Sequence, residues 1–244
     1  VSWMLSAFAL GVFAWSVRNA IAAARMPAVA HTVATEMPAS IGPAVLVTGA
    51  TGFIGSQLVQ RFLREGRRVI VLTRDVMQAR AAFGPQVWAI DRLADIPSET
   101  RIAAVVHLAG APVLGMPWTR ARREVLVGSR AGIMRELLHL LRRLEERPAV
   151  LVSASAVGFY GVPAPGRPLG EDAAPQPGCF QSDLCAAIEH EARRAETLGM
   201  RVVRMRFGLV LGHGGGSYPP LALAARAGLG ARLGSGKHPV PWIH

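Results

Sequence analysis

The 244-residue chain reads as an α/β protein built on a doubly wound parallel sheet, and three observations predict it. From Ala44 onward, short continuous apolar runs alternate with amphipathic stretches. The runs lack the polar–apolar alternation of a half-exposed sheet, so both faces of the sheet are covered. The first run, from Val45, feeds three glycines at a spacing of three (Gly49, Gly52, Gly55) directly before a helix.

The elements follow in order. The run from Val45 into the glycine turn is the first strand, and a helix starts near Phe53 with Ile54, Leu58, Val59, Phe62 and Leu63 on one face. Arg68–Thr73 is a second buried strand, Gln86–Ile90 a third, and Ala103–Leu108 a fourth, closed by Gly110. Arg120–Glu146 reads as one long helix with apolar residues at Val125, Ile133, Leu137, Leu138 and Leu141. Ala149–Ser153 is a fifth strand, Gln181–Leu198 a helix and Arg201–Arg206 a sixth strand. Helices between parallel strands make a Rossmann-type sheet, whose ligands sit at the carboxyl ends of the strands.

The glycine turn then has a chemical meaning. Glycine lets backbone approach a ligand closely, and the open helix N-terminus offers unpaired N–H groups and a dipole that favours an anion. Gly49, Thr51, Gly52, Phe53, Ile54 and Gly55 are therefore candidate contacts for the pyrophosphate of a dinucleotide. The bland alternative is a tight βα turn punctuated by glycine.

At the end of the second strand, a fold that prefers NAD places an acid to accept from the ribose 2′-hydroxyl. Here Thr73 stands at that position and Arg74 follows. A guanidinium grips a 2′-phosphate, which favours NADP over NAD. Two alternatives stay open: Asp75 takes the acid's role after a one-residue shift, or Arg74 is an ordinary surface arginine at the start of a helix. After the fourth strand, Leu108, Ala109 and Gly110 present small residues where backbone meets the cofactor. Asp91, beyond the third strand, is a candidate for the adenine amino group or a solvated loop acid.

The net charge of +11 rests almost wholly on arginine, with Lys237 the one lysine. Basic residues form no long block and are not interleaved with aromatics, which argues against a nucleic-acid partner and leaves a small molecule as the expected ligand. Cys179 and Cys185 lie about 9 Å apart along one helix, too far for a disulfide, and two lone cysteines suit a reducing cytosol. The histidines lack paired metal-ligand spacing.

A chain opening on Val1 reads as a fragment. Val1–Val17 is uncharged and mostly apolar and is followed by Arg18 and Arg25. It reads as the end of a membrane segment (residues 1–18) with its charges on the cytoplasmic side, or as a signal-peptide core. Residues 19–43, alanine-rich with Pro27, Pro38 and Pro43, read as a linker to a dinucleotide-binding domain over 44–244.

These residues together resemble the extended short-chain dehydrogenase/reductase superfamily, and within it the atypical nucleoside-diphosphate-sugar epimerase family. The markers are Thr48-Gly49-Ala50-Thr51-Gly52-Phe53-Ile54-Gly55, His107-Leu108-Ala109-Gly110-Ala111-Pro112, Trp118-Thr119 with Arg123-Glu124 and Ser129-Arg130. They continue with Ser153-Ala154-Ser155-Ala156-Val157-Gly158-Phe159-Tyr160-Gly161, Arg206-Phe207-Gly208-Leu209-Val210-Leu211-Gly212 and Pro241-Trp242-Ile243-His244. The resemblance implies NADP(H) binding, with Thr73, Arg74, Leu108, Ala109, Glu124 and Arg130 at cofactor-contact positions, and an epimerase or oxidoreductase acting on a sugar nucleotide or related hydroxylated molecule. It also implies a substrate-binding portion that continues beyond the position of His244.

The wider superfamily uses Tyr-x-x-x-Lys with a serine or threonine on the fifth strand, the lysine making the phenol an effective base. This chain cannot assemble that pair: its tyrosines, Tyr160 and Tyr218, are followed four residues later by Ala164 and Ala222. Cys179 and Asp183 stand where the pair is expected. Ser155 and Tyr160 are the remaining catalytic candidates, the serine as a donor to a substrate oxygen and the tyrosine as a proton shuttle. Against this, Ser155 caps the strand turn and Tyr160 packs beside the cofactor. Cys179 is a nucleophile or, without an activating histidine, a structural thiol. The two functional readings are an NADP(H)-dependent enzyme and a dinucleotide sensor without turnover.

Overall fold

A computed structural model describes residues 42–113, 116–162, 168–212, 214–230 and 240–244. The apolar segment at 1–17 and the linker lie outside the described residues. Among the described residues, no helix is long and apolar enough to cross a membrane.

Residues 42–111 and 124–207 make one compact unit. Its six strands are β1 (Ala44–Thr48), β2 (Val69–Leu72), β3 (Val87–Ile90), β4 (Ile102–His107), β5 (Val150–Ala156) and β6 (Arg201–Phe207). They pair in parallel in the order β3-β2-β1-β4-β5-β6, the doubly wound dinucleotide-fold arrangement whose order reverses between β1 and β4.

The strand sequences dictate the two-sided burial. All five residues of β1 are buried, but alternate ones serve opposite faces. Ala44 and Leu46 join Ile70, Ile90, Val105 and Leu151 on one side, whereas Val45 and Val47 join Val69, Val71, Val87 and Ala89 on the other. Helix α1 (Phe53–Arg64) covers the valine side with Val59, Leu58, Phe62 and Leu63, and α2 (Val76–Phe83) adds Ala79 and Phe83. The leucine side is covered by Met134, Leu137, Leu138, Leu140 and Leu141. Each such fully buried side chain contributes about 1.5 to 3 kcal/mol over leaving it in water.

The long helix expected over Arg120–Glu146 is broken into three. Helix α3 (Arg120–Val127) passes into a π-helical turn at Gly128–Gly132, and α4 (Ile133–Arg143) follows. Glycines at both ends of the turn lower the cost of departing from α geometry. The helix stops at Arg143 because Leu144 adopts extended backbone, with φ −65° and ψ 136°. Val125 is a second correction: it is exposed, and Leu126 is the buried residue of α3.

β5 runs three residues further than Ser153, so Ser155 stands inside the strand, paired with Arg206. The helix expected over Gln181–Leu198 is α5 (Phe180–Arg193) continued by a 3₁₀ segment, Arg194–Leu198. Pro112–Arg123 and Gly208–His244 belong to a second unit. There β7 (Leu209–Gly212) pairs with β8 (Gly215–Gly216) and, in parallel, with β9 (Trp242–Ile243), and α6 (Tyr218–Arg226) follows with no buried residue.

Candidate functional site

The turn between β1 and α1 is shaped by what a side chain would strike. Gly49 has φ +72°, and a Cβ there would lie 2.6 Å from the backbone of Leu108 and Ala109. A Cβ on Gly55 would overlap the Gly49 carbonyl and Ala50, and one on Gly52 would come within 3.2 Å of that carbonyl. The turn closes with Gly52 N–H donating to Gly49 O at 3.1 Å. Thr51 and Gly52 are exposed, and Phe53 and Ile54 half-buried. The N-cap, Gly52, makes no side-chain cap bond and the first turn of α1 carries no acid. An exposed helix N-terminus beside close-approaching backbone is the cradle a pyrophosphate requires, so the residues fit a dinucleotide.

Beneath the turn, Thr48 and His107 face each other in register on β1 and β4, with Thr48 Oγ1 2.7 Å from His107 Nδ1. The Ala109 N–H donates to the same hydroxyl at 3.3 Å, which ties the β4 loop to β1. Burial holds the His107 imidazole neutral, its pKa pushed down to about 4. Its Nε2 and the Ser153 hydroxyl, register neighbours on β4 and β5, are buried without hydrogen-bond partners among the described residues.

Arg130, from the π turn, lies against the β4 loop. A Cβ on Gly110 would come within 2.6 Å of its Cζ. The guanidinium donates to Ala111 O at 2.9 Å and Leu126 O at 3.3 Å, while Ser129 Oγ accepts from the Ala111 N–H at 3.0 Å. Arg130 thus sets the path of the loop carrying Leu108, Ala109 and Gly110. Glu124 is exposed on α3.

At the end of β2, Arg74 and Asp75 differ in what they engage. Asp75 is the N-cap of α2, its carboxylate accepting from the Gln78 N–H at 2.8 Å. Thr73 Oγ1 accepts from the Asp75 N–H at 3.2 Å. Arg74 is exposed. One carboxylate oxygen is therefore committed to the helix, and the guanidinium is what the strand end presents. Asp91 is exposed beyond β3, with Arg92 Nε 4.0 Å away.

Ser155 and Tyr160 are joined through Glu189, not singled out in the sequence, and Arg206, which stood there among the family markers. The buried Ser155 hydroxyl donates to Glu189 Oε1 at 2.7 Å. Arg206 grips the same carboxylate with both arms of its fork, Nε to Oε1 at 2.8 Å and Nη2 to Oε2 at 2.9 Å. Its Nη1 donates to the Tyr160 hydroxyl at 2.9 Å and to Glu171 O at 2.8 Å. The guanidinium also lies over the Phe159 ring, 3.6 Å from its centroid. Arg204 Nη1 is 3.5 Å from Glu189 Oε2. Burial alone would raise the Glu189 pKa, but the bonds from Arg206 and Ser155 outweigh it and hold the carboxyl below its ordinary value. Arg206 is pushed upward, first by Glu189 and then by Tyr160. A signal existed in the sequence: Arg204 and Arg206, two apart on a strand covered by α5, share a face and demand an acid from the covering helix.

The helix residues that meet the end of β5 are also not those expected. Cys179 is the N-cap of α5 and Asp183 is exposed. Gln181 and Cys185 are the residues nearest Gly158, and Glu189, four further on, reaches Ser155. Cys185 is buried and its thiol pKa is raised by that burial. Lys237 lies outside the described residues.

A family model described as the NAD dependent epimerase/dehydratase family matches residues 45–244. An epimerase family protein of Staphylococcus saprophyticus is 37% identical over 201 residues, covering 82% of this chain and 66% of that protein. The crystal structure of human epimerase family protein SDR39U1 (isoform 2) with NADPH is 32% identical with a TM-score of 0.70, over 82% of this chain and 65% of that one. A nucleoside-diphosphate sugar epimerase from Corynebacterium glutamicum is 26% identical with a TM-score of 0.67, over 83% of this chain and 41% of that one. The chain therefore spans slightly less than two thirds of its first relatives' length.

Proposed function

Because the chain belongs to the NAD-dependent epimerase/dehydratase family, we propose that it binds NADP(H) in the β1–α1 turn and acts on a hydroxylated small molecule of the sugar-nucleotide kind. One observation carries the cofactor choice: Asp75 is engaged as a helix cap while Arg74 stands exposed at the end of β2. An acid that caps a helix is a poor partner for a ribose diol, and an exposed guanidinium suits a 2′-phosphate. The human relative solved with NADPH supports the same reading. The cradle of Gly49, Thr51, Gly52, Phe53, Ile54 and Gly55 would hold the pyrophosphate. Thr73 and Arg74 would bind the adenosine end, and Leu108, Ala109, Gly110, Glu124 and Arg130 would line the rest.

When bound, the dinucleotide supplies hydride exchange with a carbinol carbon. The protein's own part would be to move the hydroxyl proton, which the Tyr160 phenolate would take up at Oη, supported by the bond from Arg206. Ser155 has a different task from direct donation, since its hydrogen is directed to Glu189. That same commitment favours a second reading, a dinucleotide-binding module without turnover.

Fluorescence titration of the chain with NADPH and NADH tests the cofactor claim. NADPH is expected to bind at least tenfold more tightly, and Arg74→Ala to erase the difference while leaving NADH affinity alone. Equal affinities in the parent protein would overturn it. Turnover lost in Tyr160→Phe separates the enzyme from the silent module.

A further inference from the structure

We propose that Arg206 is the cation that works with Tyr160 in proton transfer, and that Glu189 is the positioning residue that holds it there. The inference rests on Tyr160 moving the proton. With a bound dinucleotide to take the hydride, the Tyr160 phenolate would accept the hydroxyl proton at Oη as a carbinol becomes a carbonyl, and the phenol so formed would return it on reduction.

The geometry assigns the guanidinium one orientation. Each of its three nitrogens has a stated partner: Nε and Nη2 on Glu189, Nη1 on Tyr160 and Glu171. Phe159 closes one face at 3.6 Å, so rotation about the last side-chain bonds would break the fork and the stack together. Because Nη1 donates to the phenolic oxygen, the phenol's own hydrogen is left for an acceptor elsewhere, and among the described residues it has none. A charge-assisted bond of this kind strengthens as the oxygen gains negative charge.

The charge balance matters as much as the contact. Glu189 contributes one negative charge, against positive charges on Arg204 at 3.5 Å and Arg206 at 2.8 Å. The carboxylate therefore aims Arg206 without cancelling the positive field at Tyr160. Cys185, buried beside Ser155, contributes no cation. Ser155 is the second anchor: its hydroxyl fixes the oxygen that Nε also uses.

The test needs no substrate. The chain is labelled with carbon-13 at tyrosine Cζ, which reports hydrogen bonding at the hydroxyl, and Tyr218→Phe assigns the two signals. Glu189→Gln is expected to move the Tyr160 signal, although Glu189 does not touch Tyr160. Arg206→Met is expected to move it further, to the same place with or without Glu189→Gln. Arg206→Lys, which keeps the charge, restores part of the shift. Retained NADPH binding marks a folded protein, and Glu189→Asp, whose shorter arm draws the fork back, replaces Glu189→Gln if that variant does not fold. A Tyr160 signal unmoved by both Glu189 variants overturns the inference, as do strictly additive shifts. The premise fails separately: full turnover in Tyr160→Phe removes it even where the signals are coupled.

Discussion

Replacing Arg206 by methionine is predicted to cost about 3 kcal/mol of stability, and the structure sets that size. The Arg206 side chain is 13% exposed and Glu189 3%, so solvent does little to screen the pair. Breaking a buried pair by removing one partner costs about 3 to 5 kcal/mol, because the other charge stays buried. The lower end applies because Glu189 keeps Ser155 at 2.7 Å and Arg204 at 3.5 Å. Methionine keeps an unbranched apolar stem but removes the guanidinium, so the loss includes its stacking on Phe159 as well as the ion pair. Urea unfolding of the full chain, followed by circular dichroism, is the assay. Glu189→Gln/Arg206→Met should lose less than the sum of the single changes, since both act on one fork. A loss under about 1 kcal/mol, the size of an exposed pair, would show that the network does not act as a buried unit. The pH dependence follows from the lowered Glu189 pKa. The folded carboxyl titrates below the unfolded one, so its contribution is complete above the unfolded value and lost as pH falls through the folded one. Glu189→Gln should remove that part of the acid sensitivity.

Gly49→Ala should abolish dinucleotide binding and cost about 1 to 3 kcal/mol, because a Cβ at φ +72° would press on the Leu108–Ala109 backbone; a folded variant with parental NADPH affinity would refute the cradle. Asp75→Ala should cost about 1 kcal/mol through the lost cap on α2 and leave NADH affinity unchanged, whereas a fall in NADH affinity would restore Asp75 as a ribose acid. His107, with its folded pKa near 4, should show no ring titration by NMR between about pH 5 and 8, where an ordinary histidine titrates. Its lowered pKa makes the folded state lose stability as pH falls from the unfolded value toward 4, and His107→Phe should flatten that slope.

The sheet was legible because its strands are local and continuous. Val69–Leu72 and Val87–Ile90 are apolar on both faces, a pattern that leaves only a covered strand. Helix α2 was legible only as a helix start beside Arg74: Val76–Phe83 carries polar Gln78 and Arg80 among small residues and buries only Ala79 and Phe83, too few for a periodic stripe. The break in the third helical stretch was hidden for another reason. Gly128 and Gly132 are each tolerated in an α-helix, and the π turn is fixed by Arg130 and Ser129 reaching Ala111 across sequence. The glycine turn between β1 and α1 was legible because backbone makes it: glycine spacing is visible in any sequence.

The reactive end is carried by side chains whose facing depends on helix phase, and phase is what spacing alone does not supply. Where α5 begins determines which of its residues meet β5. With the helix starting at Phe180, the row at i, i+4, i+8 toward Ser155 is Gln181, Cys185 and Glu189, and a count begun at Cys179 lands on Asp183, which is exposed. Two departures from the superfamily pattern then have one physical origin. With no tyrosine or lysine in the row facing Ser155, that hydroxyl lies beside the Cys185 thiol and donates to the acid of the next turn, Glu189. A buried carboxylate so placed requires positive charge, which β6 supplies through Arg204 and Arg206. Arg206 in turn reaches the one tyrosine within the sheet unit, Tyr160. The cation and the phenol are therefore still together at the end of β5, but they come from β6 and the turn after β5 rather than from one helix.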